Sequence, residues 1–103
     1  MKIDKAEIEG SYVVKLSGEI SFREKESVKI EFISIAEKMK QSGIKNMLID
    51  ASDMDYIDSS EIGFFVNLKK NLNTDGIDMR FVNVSREIMT VLKLLSLEKI
   101  LCR

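Results

Sequence analysis

Short apolar runs of strand length alternate along this chain with apolar stripes of helical spacing, and that alternation most restricts what it can fold into. Tyr12-Val13-Val14-Lys15-Leu16 is β-branched and aromatic, which predicts a strand ended by Ser17-Gly18. From Arg23 to Gln41 the apolar residues Val28, Phe32, Ile35, Ala36 and Met39 fall three and four apart, one face of a helix, and Ser42-Gly43 closes it. Asn46 to Asp50 predicts a short strand buried on both faces. A second helix is expected from Ser59 to Asn73, with Ile62, Phe65, Val66, the stem of Lys69 and Leu72 inward, followed by the turn Thr74-Asp75-Gly76. Met79 to Asn83 reads as a strand. Ser85 then caps a third helix carrying Ile88, Val91, Leu92 and Leu95, and Lys99 to Cys102 reads as a last strand. A weaker strand, Lys2 to Glu9, precedes all of these and is joined by Gly10-Ser11 in a hairpin.

The order β-β-α-β-α-β-α-β is that of an α/β fold. It implies a mixed, mostly parallel sheet with right-handed crossovers and helices packed on it. The chain has 103 residues, no proline, no linker and no internal repeat, so residues 1–103 read as a single domain.

Composition removes several function classes. Histidine is absent and cysteine occurs once, so histidine-based nucleophile systems and imidazole zinc sites are excluded, and no metal or other cofactor is expected. Five scattered glycines make no phosphate-cradling loop. A non-enzymatic protein is the expectation. The net charge of −1 carries no basic excess for nucleic acid. Neither an apolar leader nor a spanning-length apolar run is visible, so membrane insertion is not expected and a cytoplasmic location is. The lone Cys102 fits a reducing compartment and reads as a small apolar residue near the end of the fold.

The chemistry concentrates between Met47 and Gly63. There an apolar strand ending at Asp50 runs into an acidic loop (Asp53, Asp55, Asp58), and Ser59 and Ser60 then sit where a helix begins. Unpartnered backbone N–H groups and the positive end of the helix dipole make such a place receptive to an anion. A phosphate switch and an ordinary helix cap both fit. Asp58 with Glu61 three residues on has the spacing of a capping box. The carboxylates could ligate magnesium, but a D-x-D phosphotransferase pattern fails because Ser52 stands second after Asp50.

The segment Asp53-Met54-Asp55-Tyr56-Ile57-Asp58-Ser59-Ser60-Glu61-Ile62-Gly63 resembles the D-x-S-x-G-[L/I]-G region of STAS domains, best known as anti-sigma factor antagonists. Leu16-Ser17-Gly18-Glu19-Ile20 is similar to the family's strand ending L-x-G-x-[LI]-D. Asn83-Val84-Ser85 with Ile88, Leu92, Leu95, Leu97 and Ile100 is similar to its C-terminal pattern. The likeness spans nearly the whole chain in the same element order. It departs at Glu61, where the family usually has glycine, and at Ser21, where it has aspartate.

This resemblance implies a STAS-like single domain that binds an anti-sigma factor which is also a serine kinase. Ser59 would be the phosphate acceptor, with Ser60 the secondary candidate, and a PP2C-type phosphatase would reset the switch. Ser21, Asp53, Asp55, Asp58, Ser59, Ser60 and Glu61 would form the partner-binding surface. Phe64, off the main inward stripe of its helix, is a further candidate anchor, although core burial is the commoner fate of an aromatic residue. A homo-oligomer is compatible with the sequence. The alternative keeps the fold and drops the phosphate: a STAS scaffold or subunit of a signalling or lipid-transport complex.

Overall fold

The computed structural model describes residues 2–18, 24–54 and 56–102. Strand β1 (Lys2–Ile8) and β2 (Ser11–Gly18) form a hairpin, followed by α1 (Lys25–Ser42), β3 (Asn46–Met54), α2 (Ser59–Thr74), β4 (Asp78–Val82), α3 (Arg86–Leu94) and α4 (Glu98–Leu101). The four strands stand in the order β1-β2-β3-β4, with β1 antiparallel to β2 and the other pairs parallel. The two residues between Ile8 and Ser11, Glu9 and Gly10, both have positive φ (49° and 80°), as a tight hairpin turn that follows the strand twist requires.

The α/β architecture with a mixed sheet is as expected. The last element is not: of Lys99–Cys102, expected as a strand, Lys99 to Leu101 belong to α4 and Cys102 is its C-cap, and the Leu101 N–H bonds Leu97 O at 3.0 Å. Three apolar residues in a row, Ile100 to Cys102, do not fix their own period, and tertiary packing decides. Here α4 packs on α2, α3 and β4, which takes Leu101 fully out of solvent and leaves Ile100 on the outside.

A single core fills one side of the sheet. Val14, Leu16, Met47, Ile49, Ala51, Met79 and Phe81 point into it from the strands, and Phe32, Ile35, Met39, Phe65, Leu72, Ile88 and Leu92 cover them from the helices. Phe65 joins three elements. Its ring lies edge-on to Phe32 of α1 at 5.9 Å and to Phe81 of β4 at 5.0 Å. Such pairs add about 0.5–1.5 kcal/mol each beyond area burial.

The opposite side of the sheet differs from the expectation for β3. Leu48 and Asp50 there are only half-buried, beside Val13, Lys15 and Val82, so β3 is covered on one face and not two. On β1 the inward positions are Ile3, Lys5 and Glu7, and Lys5 reaches α1 to pair with Glu31. That contact holds the Lys5 ammonium above its ordinary pKa, through the Glu31 hydrogen bond first, against the smaller opposing effect of burial.

Candidate functional site

In a sheet whose helices follow parallel strands, helix starts gather beyond the carboxyl ends of the strands, and loops there commonly carry function. The end of β3 and the start of α2 meet at that edge. β3 extends farther than the sequence suggests, through Asp53 to Met54, because its pairing with β2 resumes at Ser17↔Asp53 after an irregularity. Asp53 therefore stands on the strand with Asp50, and not in a loop.

Each described aspartate has its own partner. Asp53 pairs with Lys15 at 3.2 Å, which raises the Lys15 pKa through the hydrogen bond and then the charge. Asp50 accepts the Ser52 backbone N–H at 3.0 Å. Burial is the largest single influence on Asp50 and pushes its pKa up. Hydrogen bonds from the Ser52 amide and hydroxyl and from Asn83, with the charge of Lys15, outweigh it and leave the carboxyl below its ordinary range. Among the described residues no cluster of three or more acids, cysteines or histidines stands in a metal-holding arrangement.

Asp58 is the cap of α2. Its Oδ1 accepts the Glu61 backbone N–H at 2.8 Å and the Ser60 hydroxyl at 3.0 Å. Those bonds, the backbone one foremost, hold the Asp58 carboxyl below its ordinary range, and the nearby Lys25 charge contributes. Lys25, at the start of α1, donates to Ser60 Oγ at 2.5 Å.

The two hydroxyls are thus in different states. Ser60 donates to Asp58 and accepts from Lys25, so it is engaged on both sides. Ser59, one residue earlier, is the first residue of α2 and is exposed, and its hydroxyl makes no hydrogen bond among the described residues. Asp58, by taking the cap, leaves Ser59 with no structural task.

Glu61 departs from the surface role expected of it. It is 2% exposed, so its side chain turns inward and does not lie beside Ser59 on the surface. There it meets a small apolar recess of about 50 Å³ shared with Lys25, Val28, Ser60 and Phe64. Phe64 is half-buried, packed edge-on to Phe65 at 5.2 Å and to Phe32 at 5.9 Å. It also lines a larger groove of about 390 Å³ between α1 and α2.

Asp53, Asp58, Ser59 and Ser60 come to the same edge of the fold, as the end of β3 and the first turn of α2. Ser21 and Asp55, the other residues expected at this surface, lie outside the described residues. Lys25 was not foreseen. It stands 35 positions from Ser60, and no local pattern marks the pairing.

Comparison with known proteins gives the family and the fold. A family model for the STAS domain matches residues 2–102. A search of curated proteins found no match to this chain. Among solved structures, a candidate anti-sigma factor antagonist of Thermotoga maritima superposes with a TM-score of 0.76 at 18% identity, over 97% of this chain and 83% of that one. An anti-sigma factor antagonist of Mycobacterium paratuberculosis gives 0.80 at 16% identity, over 97% and 81%. The Bacillus cell fate determinant SpoIIAA in its phosphorylated form gives 0.67 at 15% identity, over 95% and 86%. At such identities these likenesses show the fold, and the family model supplies the kinship. The match of that model across residues 2–102 makes this chain a member of the STAS domain family.

Proposed function

We propose that the chain is a protein-binding switch of the anti-sigma factor antagonist kind, turned off by phosphorylation of Ser59. The observation that carries this reading is the division of labour at the start of α2. Asp58 caps the helix and restrains Ser60, while Ser59 stays exposed and unbonded among the described residues. A kinase needs an accessible hydroxyl whose removal from the native bonding pattern disturbs nothing, and Ser59 meets that need.

The effect of the modification follows from charge. A phosphate adds about −1.5 to −2 units and three strong acceptor oxygens. At the first turn of α2 it meets the positive end of the helix dipole, so the modified domain stays folded. The neighbouring Asp58 carboxylate makes the same spot more negative. A partner that had packed there on a neutral hydroxyl now has to desolvate a dianion, and the complex is lost. Glu61, being buried, does not crowd a kinase's approach to Ser59. By resemblance the partner is an anti-sigma factor with serine kinase activity, and a PP2C-type phosphatase restores the hydroxyl. The work is cytoplasmic and needs no cofactor.

The test is expression of the tagged chain in its host, with phosphosite mapping of the isolated protein. One phosphate on Ser59 is expected, absent from Ser59→Ala. The unmodified chain and Ser59→Ala should retain an anti-sigma kinase that Ser59→Asp loses. A phosphate found only elsewhere would reject the site.

A second reading, a STAS subunit that is never phosphorylated, is favoured by one observation. Glu61 stands two residues after Ser59, where the family usually has glycine, so the stretch that would carry the phosphate departs from the family's own pattern. No phosphate in the host, with a partner retained equally by wild type and Ser59→Asp, would select it.

A further inference from the structure

Helix α1 carries more apolar surface than its contact with the sheet uses. Ile30 and Ile33 are 64% and 52% exposed, on the side away from Phe32, Ile35 and Met39. Ile33 also lines the α1–α2 groove, together with Lys29 and Phe32 of α1 and Phe64, Asn67 and Leu68 of α2. A twofold contact needs one surface that complements itself, and an exposed apolar side chain set among charges of both signs meets that need.

The charges on this stripe say how two copies would meet. Glu26 and Lys40 each lie seven residues from Ile33, in opposite directions, and Lys29 and Glu37 each lie four from it. Four and seven residues are close to one and two turns, so all four share the side of α1 that bears Ile33, and all are exposed. An antiparallel pairing of α1 with a second α1 about Ile33 brings each Glu26 level with the other copy's Lys40. It brings each Lys29 level with the other copy's Glu37. A parallel pairing sets every charge against its own kind, and a centre midway between Ile30 and Ile33 sets Glu26 against Glu37. Lys40 is already positioned by Asp75 at 3.0 Å and Glu37 at 3.4 Å, so a further carboxylate joins an existing network.

We infer that the chain forms a homodimer through α1, antiparallel about Ile33, with the exposed Ile33 of each copy packed against Ile33 of the other. Apolar contact supplies the affinity, and exposed ion pairs, individually weak, set the register. The contact does not depend on Ser59 or on the switch proposed above.

Light scattering in solution tests it. Wild type is expected at twice the 11.8 kDa chain mass, and Ile33→Lys at the chain mass, with an unchanged circular dichroism spectrum because Ile33 is a surface position. Lys29→Glu and Glu37→Lys should each weaken the dimer, and the two together in one chain should restore it. In a Cys102→Ser background, Ile33→Cys should oxidise to a covalent dimer, since Ile33 lies beside its own copy on the axis. A wild type that is monomeric at every accessible concentration overturns the proposal, whatever else the groove then binds. So does a dimer that survives Ile33→Lys. Ser59→Ala should leave the mass unchanged, which separates a failure here from a failure of the phosphorylation reading.

Discussion

Helices α2 and α3 both begin after a strand of the same sheet, and both carry serine at the start, yet the two hydroxyl groups have opposite fates. At α3, Ser85 is itself the cap: its half-buried Oγ accepts the Ile88 N–H at 3.3 Å. At α2, Asp58 takes that place, and Ser59 moves one residue into the helix with its hydroxyl outward. A shift of one position, with a carboxylate supplied to do the capping, turns a structural hydroxyl into an available one. Residue type at a helix start does not tell an available hydroxyl from a capping one; occupancy of the capping bond does.

The comparison assumes that the tip of α2 rests on a rigid body, and the largest expected effect checks it. Phe65 is fully buried and touches the rings of Phe32, Phe64 and Phe81, so Phe65→Ala should destabilise the fold by about 3–5 kcal/mol in urea unfolding. A cost near that of a surface change would mean the helix is not anchored as described.

Next in size are the two caps. Asp58→Ala and Ser85→Ala should each cost about 1 kcal/mol, because each leaves a first-turn N–H without its acceptor. If only Ser85→Ala destabilised, Asp58 would not be the true cap of α2.

The two caps should separate with pH. Asp58 titrates below its ordinary range, chiefly through the Glu61 N–H, so its charged form is favoured by folding. Its contribution is complete above the unfolded value of about 3.9 and fades as the pH falls through the lower folded value. The stability gap between wild type and Asp58→Asn should therefore be full at neutral pH and narrow in acid. The gap for Ser85→Ala, a neutral cap, should not follow that course. Urea melts taken from neutral pH down into the acid range report both.

The smallest expected effect is the most diagnostic. Ser59→Ala should change stability by less than about 0.5 kcal/mol, the range of a surface position without a structural role. A loss as large as that of Ser85→Ala would place Ser59 among the caps and remove the contrast.

The sequence already carried much of this. The stripe of Val28, Phe32, Ile35, Ala36 and Met39 identifies α1 because five apolar residues at one period leave few alternatives. Asp58 was readable as a cap from its spacing to Glu61, and the Asp58 half of that motif is formed. What stayed hidden depends on distant contacts. Lys25 meets Ser60 only after two crossovers bring α1 and α2 side by side. Glu61 turns inward because a recess beside Val28 and Phe64 lies beneath it, which no neighbour in sequence announces. The final apolar run became α4, since its period was set by α2 and β4 and not by its own residues.

The ion pair between Lys5 and Glu31 has a consequence beyond the hairpin it steadies. β1 closes one end of the strand order, so its outer backbone groups stand ready to template a foreign strand. A charged side chain facing inward on that strand obstructs such growth, because strands added at this edge would strip water from the Lys5–Glu31 pair in every copy. Neutralising Lys5 would remove a guard against fibre formation while leaving the native molecule almost unaltered.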